Sequence, residues 1–337
     1  MTTFFAPARR TCLAALAAIV LTACGGGGGG RDDGGGVPAA PAALTPANYV
    51  TAASVTVSTA LNLFGPLEVL TGARVGAADR LLPLAIGVVR QWPQRPRAPE
   101  SLLGVTYTET DACDGGGSVS FAITVADESG LAVGDRVRVT FADCAFFGGT
   151  EVIDGVLSAR VDSVSGDIVN SYAFSVTFDV TLENLSVSDA GSSFVGNGGL
   201  TLALDSFTEM RQDLRVTIPA MTVTGQVGGA GYSRTVTNFV IDERMAENGD
   251  LLTRIDGRIA ASELGGGYVD VETVTPFFEA WVDDVPTAGV ALITGAQGSR
   301  VRLTARTDGL ALIELDADGN GTFELSTTRS WDALAGG

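Results

Sequence analysis

The residues best spaced for chemistry are Asp316, Asp318, Asn320, Thr322 and Glu324, in the run Asp316-Ala317-Asp318-Gly319-Asn320-Gly321-Thr322-Phe323-Glu324. Oxygen side chains at positions one, three and five, glycine at six and an acid at nine form the first half of a calcium loop. Calcium takes roughly six to eight hard oxygen ligands, which this spacing wraps around one point. The acid expected at position twelve is replaced by Thr327, and the flanking segments read as strands, not helices. The same residues suit a plain hairpin in which Asn320-Gly321 supplies positive φ angles. Calcium loop and plain turn stand as two readings of one segment.

Much other chemistry is excluded by composition. The chain has no histidine and no lysine, and its 21 basic residues, all arginine, face 39 acids for a formal charge of −18. Without histidine there is no Ser-His-Asp or Cys-His nucleophile and no imidazole zinc site. Without lysine there is no Schiff base and no Walker-type phosphate loop. The acid excess opposes nucleic acid and anionic headgroups. Carboxylate pairs of the glycosidase kind remain, with Asp283-Asp284 and the group Asp242, Glu243, Glu247 and Asp250 as candidates. Acids so placed are ordinarily solvated turn residues. Met210, Met221 and Met245 are scattered and read as core packing.

The tetrapeptide Leu21-Thr22-Ala23-Cys24 follows Arg9-Arg10 and an uncharged, mostly apolar stretch at 11–23, and six glycines follow it. This arrangement resembles a bacterial lipoprotein signal peptide, too short to span a membrane and flanked as a processing site is. The resemblance implies that residues 1–23 are removed, that the Cys24 thiol receives a diacylglyceryl group, and that the new amino terminus takes a further acyl chain of the palmitate kind. Each buried methylene contributes about 0.8 kcal/mol, so several chains anchor stably where one does not. Gly25 stands where the family's inner-membrane retention signal places Asp, which implies sorting to the outer membrane without specifying the face. Leader removal takes away Arg9, Arg10 and Cys12 but no acid. With Cys24 acylated and the compartment oxidising, Cys113 and Cys144 remain to form a disulfide.

The elements that position these residues follow from periodicity. Residues 24–44, Gly-rich and then Pro/Ala-rich, form a tether spanning roughly 25 Å on average, with a contour nearer 70 Å. Thr45-Pro46 opens a helix with Val50, Ala53, Val57, Leu61 and Phe64 on one face. Asp79 caps a second helix running to Trp92, and the proline-dense 92–99 closes a segment spanning 45–99. From residue 100 the period becomes two, with strands at 119–125, 137–141, 172–185, 200–204, 214–218, 235–241, 251–259, 268–275, 290–293, 301–306, 310–315 and 322–326. Apolar/polar alternation predicts antiparallel sheet with one buried face, and the length of 172–185 requires a bulge. Aromatic residues at 7% with no girdle argue against a transmembrane barrel. The stretches 289–298, 301–307 and 312–316 and the closing Trp331-Asp332-Ala333-Leu334 resemble the ends of uncharacterised proteobacterial β-rich lipoproteins, a likeness that implies an exported, anchored β protein and brings no activity.

The sequence therefore predicts a mainly β protein of α+β type, with the N-terminal helical segment packed on a large curved antiparallel sheet or sandwich over 100–337, pinned by Cys113–Cys144. The function expected first is a membrane-anchored, non-enzymatic binding or structural module of the cell envelope, with an apolar groove for a ligand. A surface adhesion or assembly component with weak calcium binding is the alternative, and a carboxylate-dependent glycan hydrolase the remote third. Expected partners are the outer membrane through the lipid, and an apolar ligand, an envelope protein or a glycan, but no nucleic acid. No cofactor is expected other than calcium.

Overall fold

The computed structural model describes residues 40–64, 106–126, 131–146, 151–168, 171–189, 191–227, 229–283 and 285–335. The leader, Cys24, most of the tether, the helix expected at 79–92 and the proline-dense 92–99 lie outside these residues.

Helix α1 spans Tyr49–Phe64 and is followed by fourteen strands: β1 Thr106–Ala112, β2 Ser118–Thr124, β3 Arg136–Phe146, β4 Glu151–Gly166, β5 Phe174–Ser188, β6 Ser192–Ser206 and β7 Gln212–Val227, then β8 Ala230–Met245, β9 Leu251–Ala261, β10 Tyr268–Glu279, β11 Ala288–Thr294, β12 Arg300–Ala305, β13 Leu310–Asp316 and β14 Leu325–Ser330. A short helix α2, Trp331–Ala335, ends the described chain. Strand order equals chain order in one sheet with every pairing antiparallel, so the fold is a single meander and not a two-sheet sandwich.

Alternation sets the two faces. Val137, Val139 and Phe141 on β3, Val176, Phe178 and Val180 on β5, and Val301, Leu303 and Ala305 on β12 all point to one dry face. The opposite face carries cross-strand ion pairs, including Arg138–Glu183 (3.0 Å), Arg160–Asp179 (2.6 Å), Arg258–Asp270 (2.8 Å) and Arg302–Glu314 (2.7 Å). Solvent screening leaves such exposed pairs little net energy, so their role is register more than stability. A membrane-spanning barrel needs an outward apolar band, and these charged rows occupy the places where such a band would lie.

Helix α1 is seated against β9, β12, β13 and the closing helix α2. The helix sequence suits that setting. Ala52, Ala53, Val55, Thr56, Val57, Ser58, Thr59 and Ala60 are all buried, covering every side of α1. Its buried hydroxyls return to the helix backbone: Thr56 Oγ1 donates to the Ala52 carbonyl (2.9 Å) and Ser58 Oγ to that of Ser54 (2.6 Å). Arg234 on β8 locks the helix in place. Its Nη1 donates to Ser58 Oγ (2.8 Å) and Thr59 Oγ1 (3.3 Å), while Nε and Nη2 donate to Glu263 (2.9 and 2.7 Å). Burial pushes the Glu263 carboxyl up, but the Arg234 charge and hydrogen bonds outweigh it and leave the group below the ordinary carboxylate range.

Irregularities fall where the chain demands them. The bulge required in β5 lies between Leu182 and Leu185. Pro219, which cannot donate to a ladder, sits in central β7 where pairing to β8 steps from Ile218↔Phe239 to Ala220↔Thr237. Between Val269 and Phe277 the β9–β10 ladder is interrupted, and Thr273 bridges it by accepting the Ile255 N–H and donating to the Ile255 carbonyl, both at 2.7 Å.

Cys113, in the β1–β2 turn, is joined by a disulfide to Cys144 on β3, with Cα atoms 5.5 Å apart. The bond staples the edge hairpin to its neighbour beside two backbone bonds, Gly115 N–H to Ala145 O and Ala145 N–H to Gly116 O, both 2.9 Å. Among the described residues the core begins at Ala42, and Pro38–Gly337 is one compact unit with a core of its own.

The bond closes a loop of 31 residues, for which chain entropy gives about 3–4 kcal/mol. We expect the Cys113→Ser/Cys144→Ser variant to lose about that much stability in urea unfolding. The same loss should follow reduction of the unaltered protein, and two free thiols in the exported protein would contradict the bond.

Candidate functional site

The Asp316 loop connects β13 to β14 and is built around one buried carboxylate. Asp316 is wholly inaccessible; its Oδ1 accepts the N–H groups of Gly319 (2.8 Å) and Asn320 (3.1 Å), and its Oδ2 accepts that of Gly321 (2.9 Å). Ala317 N–H donates to Glu324 Oε2 (3.2 Å), which draws the end of the loop back over its start. One oxygen from each of Asp316, Asp318 and Glu324 lies within 4.8 Å of the other two.

Asn320 stands beside this cluster with its polar atoms already engaged. Asn320 turns its Oδ1 to the Thr322 N–H (2.7 Å) and its amide to Asp318 Oδ2 (2.9 Å). Thr327, at the twelfth position, pairs with Ile313, two residues down the ladder from the loop. The turn geometry also differs from the Asn320-Gly321 expectation. Positive φ falls on Gly319 (74°) and Gly321 (90°), leaving Asn320 in an ordinary conformation. The final strand accordingly begins at Leu325 and not at 322. Chemically the loop offers three converging carboxylates and needs water for the rest of a calcium shell.

The acids named as hydrolase candidates are dispersed. Asp242 faces outward and pairs with Arg215 (3.2 Å), Glu247 accepts from Thr208 Oγ1 (2.9 Å), and Asp250 accepts the Trp281 N–H (3.1 Å). Asp283 lies in the β10–β11 turn and Asp284 lies outside the described residues.

Glu243 is different. It points inward with Phe239 and Ile241, in a row with Leu214 on β7 and Thr253 on β9, and is 8% exposed. Burial, with a smaller contribution from Glu279 on β10, pushes its carboxyl up to about 7. A carboxyl with that value has the proton affinity of a general acid, but it is enclosed by the core and does not open onto a cleft. The period of two set by Phe239 and Ile241, carried two residues further, would have located it. The shallow groove between β6, β7 and β8, lined by Ser193, Thr224, Gly225, Tyr232 and Ser262, holds no carboxylate or thiol among its lining residues.

The Glu243 shift has a definite sign. The folded carboxyl holds its proton up to about pH 7, while an unfolded one releases it near 4.5, so stability falls as pH rises through that window. The full cost above it is roughly 3 kcal/mol. We expect Glu243→Gln to melt higher than the unaltered protein at pH 8, with the difference vanishing toward pH 4.5; equal melting at pH 8 would contradict the assignment. Comparison with protein-family models, with curated proteins and with solved structures finds no match for this chain.

Proposed function

We propose that this chain is a lipid-anchored, non-enzymatic module of the cell envelope, held at the outer membrane through Cys24, whose outer face and strand ends are its working surfaces. The interior serves packing and not ligand carriage. The observation that carries this reading is the enclosure of α1: the space against the sheet that an apolar ligand would take is filled by Ala52, Ala53, Val55 and Val57 of the chain itself. The enzyme alternative has the least support, because the candidate acids are spread over both faces and several turns. The lipoprotein part rests on the Leu21-Thr22-Ala23-Cys24 resemblance. We expect mass spectrometry of the exported protein to find an acylated Cys24 as its first residue, and Cys24→Ser to release the protein from the membrane fraction. A variant as firmly bound as the original would overturn the anchor.

The convergence of Asp316, Asp318 and Glu324 favours a second reading, in which a weak calcium site stiffens the β13–β14 edge for contact with an envelope partner. A ligand that binds only the native state raises its stability. A millimolar dissociation constant at ten times that calcium concentration gives about 1.4 kcal/mol. We expect a calcium-dependent rise in melting temperature that Asp318→Asn/Glu324→Gln abolishes. No shift in millimolar calcium would leave the loop as a plain turn.

A further inference from the structure

In a meander every second hairpin lies at the same end of the sheet, so the β2–β3, β4–β5, β6–β7, β8–β9, β10–β11 and β12–β13 connections form one rim. Nine large apolar side chains stand exposed among the described residues, and all but Val274 and Leu325 are at this rim or in the first turn of strand leaving it. They are spread one hairpin at a time: Val133, Tyr172, Phe207, and the pair Trp281 (61% exposed) and Val282 (85% exposed). Among the described residues the opposite rim carries polar, glycine-rich turns such as Gly115-Gly116-Gly117, Ser262 to Gly267 and the Asp316 loop.

The protruding side chains are held in place. Trp281 lies on Gly249, where an added Cβ would stand 2.6 Å from the indole ring, and the Trp281 backbone N–H donates to Asp250 Oδ1 in the same neighbouring hairpin. Phe207 lies under the Arg211 guanidinium at 4.7 Å, and the adjoining Thr208 is tied to Glu247 of the next hairpin. Three consecutive hairpins are thereby braced with their apolar groups outward.

We infer that this rim docks on a neutral lipid surface, each hairpin placing its own apolar side chain among the headgroups. Three observations choose that occupant. Successive protrusions are separated by a skipped strand, about 10 Å, so they form no continuous patch for a protein to cover, whereas a bilayer receives each one independently. Trp and Tyr, with an apolar body and a polar tip, are the side chains that settle at a headgroup interface. Carboxylates also stand among them, Asp167, Glu209, Glu247, Asp250, Asp283 and Asp308 against Arg211 and Arg306. Those charges repel a second copy of this acidic chain and disfavour anionic lipid. The inference rests on the anchor reading in one respect: the described chain starts at the far rim, where Pro41 bridges Tyr268. From Cys24 to Ala40 the contour is about 55 Å, close to the length of the 16-residue strands, so an anchored chain can set its apolar rim on the same membrane.

The test uses residues 38–337, which contain the whole core, in a Trp92→Phe background so that emission reports Trp281 and the buried Trp331. With phosphatidylcholine vesicles we expect co-sedimentation and a blue shift. Both should weaken at least about tenfold in Trp281→Ser/Val282→Ser, and separately in Phe207→Ser, with melting temperatures unchanged because these groups are exposed. No partition into neutral vesicles overturns the inference, as does equal partition by the variants or binding confined to phosphatidylglycerol vesicles. A concentration-dependent dimer lost in the variants would assign the rim to a second copy and overturn it too. The body lacks Cys24, so failure here leaves the anchor to be judged by its own mass measurement.

Discussion

The constraint on which the rest of this molecule depends is that fourteen antiparallel strands in one sheet present an apolar face for which, among the described residues, α1 is the one helix of any length. Such a face exposed to water would cost far more than the chain's net stability, since each Å² of apolar surface is worth roughly 25 cal/mol. A helix buried against it on every side must carry small, uncharged side chains. That requirement explains the composition of α1, where Ala, Ser, Thr and Val stand where a surface helix would carry charges. It also explains why the buried hydroxyls of Thr56 and Ser58 bond to their own helix backbone. A lost partner in that space would cost about 1–3 kcal/mol.

Arg234 reaches this helix with its donors engaged: two hydroxyls of α1, the Glu263 carboxylate and the Tyr232 ring surround it. Removing one partner from a buried pair is far costlier than never having built it, so this group fixes where the helix sits along the sheet. The edges are managed by the opposite device. β1 and β14 carry Thr, Ser, Glu and Arg and are polar on both faces, which makes them poor templates for a further strand. With a polar outer face and polar edges, large apolar exposure among the described residues falls at the strand ends, with Val274 in mid-β10 the exception. A contact with lipid or partner, if driven by apolar surface, has to be made there.

Much of the sheet was legible before the structure, and the parts that were not have specific reasons. Strands with clean alternation, such as β3 and β12, are where periodicity places them. β1 was not anticipated because Thr106-Tyr107-Thr108-Glu109 has no buried face to alternate against. β4 was not anticipated because Gly155 and its Ser, Asp and Arg residues dilute the pattern of Ile153, Leu157, Ala159 and Val161. The final strand was expected three residues early, because the turn's left-handed positions fall on Gly319 and Gly321 and carry the loop through Glu324. At the candidate sites, Asp242 and Glu243 are neighbours in the chain and read as one acidic group. A strand turns successive side chains to opposite faces, and so one is a surface ion-pair partner and the other a buried acid.

By itself the sequence determined the chemistry available to this protein. The absence of histidine and lysine, the acid excess and the supply of only four cysteines are properties of residue type, and no folding can add to them. It also determined that the bulk of the chain is antiparallel sheet with one dry face, because a period of two is a local property. Only the tertiary structure decided that α1 is buried against β9, β12 and β13, that Arg234 reaches it together with Glu263, and that Phe207, Trp281 and Val282 share a rim. Those outcomes depend on which strands stand side by side. They join residues tens to hundreds of positions apart, and no local pattern carries that information.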